Sequence, residues 1–275
     1  MVMVVVAAAL GLVMGAVIGG LGGGGGVLTV PALVYALGQS AQDATTGSVI
    51  IVGVTAGAGV LVHWPGGVER RTGFAFAAAG VPAAWLGTLL NRHVGQPVLL
   101  LAFSGLTIVA AAVMLVSFRN GGTAVDPAEE DDVGASDGAA TAVRAPSAIR
   151  RRVVTAAKVV VGGAAVGFLT GFLGVGGGFL VVPALVVLLR MPMSIAVGTS
   201  LLIILVNSAA SVVARIGSLH LDWLVVAPFA VAAVLGTVAG KRVADRFSGA
   251  TLGRTFAVLL LAVGLFVAAA SVATL

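Results

Sequence analysis

"GLGGGGGVLTVPAL", residues 20–33, sets five consecutive glycines (Gly22–Gly26) inside a stretch with no charged residue from Met1 to Gln42. Glycine is the poorest ordinary residue for a helix interior, by about 1 kcal/mol against alanine. The run therefore marks a place where an apolar segment has to break. The reason for the break lies in what surrounds it and in a second copy farther along.

The surroundings suit lipid. Of 275 residues, 59% are hydrophobic and 9% charged, against about half and a quarter in soluble proteins. Charge-free runs such as Ala44–Val68, Val94–Phe118, Val159–Leu189 and Thr255–Leu275 reach the roughly 20 apolar residues that a membrane helix needs. The chain reads as an all-α polytopic membrane protein, because too little polar surface remains to cover it in water. An isoelectric point near 11.0 does not point to nucleic acid, since the basic residues sit at segment ends, where they orient membrane proteins. The lack of cysteine excludes disulfides, zinc–thiolate sites and thiol catalysis. The N-terminus has no positive n-region of a cleaved signal, and its pattern recurs inside the chain.

That recurrence is the second copy. Gly15–Ser48 aligns without a gap on Gly167–Ser200 at an offset of 152, with sixteen of 34 positions identical, where biased composition would give roughly four. Gly24–Gly26 faces Gly176–Gly178, and Pro31–Val34 faces Pro183–Val186. Farther on, "LGT" recurs at Leu86–Thr88 and Leu235–Thr237. The chain thus divides into a first transmembrane repeat (1–118), a loop (119–149) and a second transmembrane repeat (150–275). The loop holds Asp126, Glu129, Glu130, Asp131, Asp132 and Asp137; so acidic and aromatic-poor a segment is expected to be a disordered, solvated tether.

Each half reads as a glycine-interrupted segment (about Met1–Gly38 and Val153–Leu189) followed by three ordinary spans. If each interrupted segment crosses once, the 15 basic residues divide nine to six across the membrane. If each is a re-entrant hairpin, they divide thirteen to two, with Arg92 and Arg215 alone outside. The positive-inside bias selects the hairpins and places the central loop in the cytoplasm. An odd number of full spans per half then orients the halves oppositely, an inverted-repeat transporter architecture with its site near the midplane. The arms are unequal: Met1–Gly22 as a helix runs about 33 Å and Val27–Gly38 about 18 Å.

Within hydrocarbon, non-helical backbone survives only where protein or a polar cavity surrounds it. Glycine reaches the positive φ of a tight reversal and lets backbone approach a ligand closely. After each run a short helix is expected, with Pro31 or Pro183 near its first turn and its free N–H groups directed at the glycines. Two such ends converging from opposite halves would attract a small anion. Gly15, Gly19 and Gly22, at GxxxG-like spacing, are assigned to close helix packing. A dinucleotide site is excluded, since it needs a strand–turn–helix unit and a downstream acid.

At Gly167–Ser211 the sequence resembles the sulfite exporter TauE/SafE family of membrane transporters. The family's duplicated G-x-GGG-x-x-x-V-P-x-L element and following A-x-x-T-S element are matched by "GLGGGGGVLTVPAL" with "ATTGS", and by "GFLGVGGGFLVVPAL" with "AVGTS". The resemblance extends over the chain outside the acidic loop, and it implies export or uptake of sulfite, sulfonates or related small anions. The first copy departs in order, Thr46-Gly47-Ser48 facing Gly198-Thr199-Ser200.

The expected substrate-binding set is Gly24, Gly25, Gly26, Thr46, Ser48, Gly176, Gly177, Gly178, Thr199, Ser200 and Asn207. Serine and threonine in membrane helices commonly bond their own backbone, whereas Asn207 is costlier to bury and faces Thr55 in the first half. His63 and Arg215 are repeat-equivalent and read as interfacial anchors, with attraction of anions at the two mouths as the alternative; Trp64 and Trp223 also read as anchors. No Asp or Glu falls inside a span, so no buried carboxylate relay is visible. With no Walker A motif, ATP drive within the chain is excluded. The residues assemble no nucleophile–base pair, metal cluster or paired carboxylates, so an enzyme is not expected, and neither a cofactor nor a metal is called for. The expected partners are a small anionic substrate and the lipid bilayer, with no nucleic acid; an exposed small-residue face would suit a homodimer. A small carboxylate as cargo, or a non-transporting scaffold, are the competing readings. Broken helices argue against the scaffold.

Overall fold

The structure is a computed structural model that describes residues 2–23, 28–30, 32–39, 41–64, 66–91, 96–119, 148–173, 178–215 and 222–272. The acidic loop, 120–147, lies outside them. Among the described residues all regular structure is helical. The first half comprises α1 (Val2–Leu21), a short π-helical segment α2 (Ala32–Ala36), α3 (Ala41–His63), α4 (Arg70–Asn91) and α5 (Gln96–Arg119). The second comprises α6 (Ala148–Leu173), α7 (Gly178–Pro183, continued as a π-helical turn over Ala184–Leu188), α8 (Met193–Arg215), α9 (Trp223–Ala244) and α10 (Gly249–Val272). Among the described residues, eight helices are long and apolar enough to cross a membrane. They include α1 and α6, so the longer arm of each interrupted segment is itself of spanning length.

Glycine contacts give the direction of every major helix pair. On α1, a Cβ built at Gly11, Gly15 or Gly19 would lie 2.3, 2.0 or 2.2 Å from the carbonyl oxygens of Phe229, Ala233 and Thr237, so α1 and α9 run parallel with backbones touching. Gly163, Gly167 and Gly171 do the same against Phe76, Gly80 and Ala84, making α6 and α4 parallel. Small residues let membrane helices gain dispersion contacts that bulkier side chains would block. This is the packing expected of Gly15 and Gly19. Gly22 is different, and belongs to the turn. The "LGT" elements serve the same contacts: Thr237 Oγ1 donates to Gly15 O at 3.2 Å across α9–α1, and Thr88 Oγ1 to Gly171 O at 3.4 Å across α4–α6.

The remaining pairs follow. Gly53 faces Ser208 and Gly59 faces Leu201, so α3 and α8 are antiparallel. Gly47 faces Val226 and Gly59 faces Thr237, so α3 is parallel to α9. Gly253 meets Phe118 and Gly264 meets Ile108, so α5 and α10 are antiparallel. Only residues 64–69 join α3 to α4 and 245–248 join α9 to α10, so each of these pairs reverses; helices α1, α3, α5 and α9 then point one way, and α4, α6, α8 and α10 the other. With α1 and α3 parallel, the chain between them must turn back. Leu33 and Leu37 of the return pack with Ala7, Ala44 and Val225 near the starting end of α1. Likewise Leu185 packs with Val159, Phe76 and Ala196. Each interrupted segment is a hairpin.

One consequence is a segregation of charge. Arg70, Arg71, Arg119, Arg150–Arg152, Lys158, Arg190, Lys241, Arg242, Arg246 and Arg254 gather at one end of the bundle, and Arg215 ends α8 at the other.

The short arms depart from expectation at proline. Pro183 is the sixth residue of α7, not in its first turn. Without an N–H it cannot continue the α ladder, and the chain widens into the π turn that follows. Pro31 lies outside the described residues. Both arms close alike: Gln39 N donates to Leu33 O and Met191 N to Leu185 O, each at 3.1 Å. The residue before each donor is left-handed, Gly38 at φ 66° and Arg190 at φ 54°. This is a Schellman-type helix end, whose left-handed residue is ordinarily glycine.

Candidate functional site

Helix α1 ends where Gly22 N donates to Ile18 O at 2.9 Å. Gly22 (φ 74°) and Gly23 (φ 112°) then turn the chain through backbone angles that side chains oppose. A Cβ on Gly23 would stand 2.8 Å from Gly178 O, and one on Gly178 would stand 3.0 Å from Gly23 O. The two glycine runs, 155 positions apart in sequence, thus touch backbone to backbone. Ile204 of α8 reaches both, its Cδ1 being 2.7 and 2.9 Å from the two built positions. No side chain separates the runs at this contact. The polar atoms that approach each other there are the carbonyl oxygens of Gly23 and Gly178.

The expected site residues fall into distinct places. Gly24, Gly25, Gly26, Gly176 and Gly177 lie outside the described residues. Gly178 is at the crossing and opens the buried α7. Ser200, fully buried, shares its proton between Gly22 O at 2.9 Å and Val197 O at 2.7 Å. Its hydroxyl ties α8 to the first glycine turn, and toward any ligand it has only lone-pair capacity left. Thr199 accepts from Glu69 N at 3.0 Å, capping the entry to α4. Thr46 and Ser48 are buried in the early part of α3.

Asn207 lies one turn beyond Ile204 on α8, and its Oδ1 is buried without a hydrogen-bond partner. An unpaired buried amide oxygen costs about 1–3 kcal/mol, a penalty expected to be relieved by a ligand or an ordered water. Its counterpart Thr55 bonds its own helix at Ile51 O, 2.5 Å away. The sequence reading missed Gln39, whose two amide atoms are buried without partners just after α2. A polar residue following a helix-ending glycine is the only sequence signal that could have found it.

His63 is corrected. It is not an interfacial anchor but 5% exposed, with Nδ1 donating to Gly59 O at 2.8 Å. Just past the end of α3, Gly67 N bonds His63 O at 3.0 Å. Trp64 and Trp223 are exposed, and Arg70 lies 5.1 Å over the Trp64 ring.

Residues 7–267 match the family described as sulfite exporter TauE/SafE. The chain is similar to a "Probable membrane transporter protein" of Xylella fastidiosa (strain 9a5c), 31% identical over 94% of this chain and 92% of the relative. A protein of the same description from strain Temecula1 is 32% identical over the same shares. A third "Probable membrane transporter protein", from Bacillus subtilis, is 33% identical over 36% of each chain. No solved structure matches.

Proposed function

The chain belongs to the sulfite exporter TauE/SafE family, and from that premise we propose that it carries a small sulfur oxyanion, sulfite or an organosulfonate, past the crossing of its two glycine runs. As a member of that family it is a multi-pass membrane transporter and not an enzyme. The observation that supports the specific reading is the backbone contact of Gly23 with Gly178. At the contact the approaching backbone atoms are the two carbonyl oxygens, so the donors for an anion would be the free N–H groups at the start of α7. Asn207, with its unpartnered oxygen beside Ile204, is suited to sense the protonated form of such a cargo or its bound water.

The halves act as inverted repeats about an axis in the membrane plane, with the substrate near that axis. Supporting this, α3 opposes its repeat-equivalent α8, and α5 opposes α10. The protein resides in the cell membrane with its arginine-rich end and acidic loop in the cytoplasm. Single cysteines at Arg215 should label from outside and those at Arg190 and Arg246 should not; outside labelling at Arg246 refutes the orientation.

The functional test is sulfite flux from proteoliposomes holding the purified protein, beside sulfate, taurine and acetate. Saturable sulfite flux that the double substitution Gly25→Leu/Gly177→Leu abolishes is the expected result. Flux of acetate alone would reassign the cargo to carboxylates, and a folded protein inert to all four would leave the oxyanion reading without support.

A further inference from the structure

A cavity of about 500 Å³ opens at the basic end of the bundle, between the ends of α3 and α9 and the starts of α8 and α10. Its wall includes His63, Val197, Lys241 and Asp245. It backs directly onto the glycine crossing: Gly20 and Val197 line it, and Val197 Cα stands 2.8 Å from the built Gly22 Cβ.

Two features of the cavity point to an anion. Lys241 pairs with Asp245 one turn on, yet the cation is the sheltered member, 22% exposed against 57% for the carboxylate. Such i,i+4 pairs at a surface are individually weak, so a better-placed anion can take the lysine from its partner. Ser194 and Gly249, in the first turns of two long helices, complete the wall, and helix starts carry positive potential.

We propose that this cavity is an anion-binding vestibule in which a small oxyanion replaces Asp245 as the partner of Lys241 before or after passing the glycine crossing. The proposal rests on the transport reading above and adds to it a second binding site. Asp245 keeps Lys241 neutralised and in place while the vestibule is empty. An arriving anion gains a charge-assisted hydrogen bond from a cation already shielded from bulk water.

The test uses the full chain reconstituted in liposomes, with sulfite as probe. Lys241→Gln should raise the sulfite KM by about tenfold, the worth of one charge-assisted hydrogen bond, and leave kcat within about twofold. Lys241→Arg should restore most of the affinity, and Asp245→Asn should lower KM by about threefold, since it frees the lysine. An unchanged KM in Lys241→Gln overturns the vestibule while the transport reading stands. So does an Asp245→Asn variant that loses affinity as Lys241→Gln does, which would make the pair a structural tie. If the wild type carries no sulfite, its thermal unfolding in detergent is followed against added sulfite and equal chloride. A sulfite-specific stabilisation lost in Lys241→Gln supports the vestibule and removes the transport reading; no stabilisation, or an equal one in both proteins, overturns the vestibule.

Discussion

Replacing Gly23 by alanine imposes two penalties that can be separated. The first is conformational: φ at 112° lies in a region that costs a residue with a side chain about 1–3 kcal/mol. The second is steric. The new methyl would sit 2.8 Å from Gly178 O and 3.1 Å from its carbonyl carbon. Ile204 Cδ1, at 2.7 Å, is the end of a flexible side chain and can rotate away, but the Gly178 backbone cannot. Overpacking of that kind costs about 1–3 kcal/mol, for a total of about 2–6 kcal/mol. Gly38→Ala is the matched control, because φ is 66° and nothing lies within 4 Å of its built Cβ. It should lose only the left-handed penalty, about 1–2 kcal/mol. Thermal unfolding of both variants in detergent, followed by tryptophan fluorescence, measures the difference. Sulfite flux of the reconstituted proteins measures its effect on transport, expected to fall at least about tenfold for Gly23→Ala. If Gly23→Ala unfolds no earlier than Gly38→Ala and keeps its flux, the contact between the glycine runs is not what holds the site.

Three further outcomes are expected. Gly15→Ala, whose Cβ would lie 2.0 Å from Ala233 O, should force α1 off α9 and lower stability by about 2–3 kcal/mol. Gly105→Ala, with nothing within 4 Å, should instead be neutral or stabilising by up to about 1 kcal/mol; equal effects would refute the parallel backbone contact. Arg190→Gly should raise stability by about 1 kcal/mol, because it relieves the φ of 54° at the end of the second short arm; a loss in the unfolding midpoint would show that the side chain holds that turn. Asn207→Leu removes an unpartnered buried oxygen, so the protein should unfold no earlier and gain up to about 1 kcal/mol, while sulfite flux falls. Reduced stability with intact flux would make Asn207 a structural residue.

Much of this protein could be read in one dimension. Spans follow from apolar length, the duplication from identity at a constant offset, and the hairpins from where arginine and lysine fall. All are local or compositional properties, and lipid makes them strict, since a charge or an unpaired peptide group is costly in hydrocarbon whatever its neighbours. The glycine runs were legible as reversals for the same reason: a residue without Cβ is the one that tolerates positive φ. What stayed hidden was which surfaces meet. Gly11, Gly15 and Gly19 announce a close helix partner without naming α9, because a missing side chain is complementary to any backbone. Ser200 had the composition of a ligand donor, yet Gly22 O lies within its reach, and a hydroxyl has one proton to give. His63 looked interfacial, yet the packed helices leave it buried. Lys241 and Asp245 were merely charges at a segment end until α3, α8 and α10 built walls around them. In each case the deciding quantity is a distance between segments far apart in sequence, set by the packing of four parallel and four antiparallel helices, and it exists only once the chain is folded.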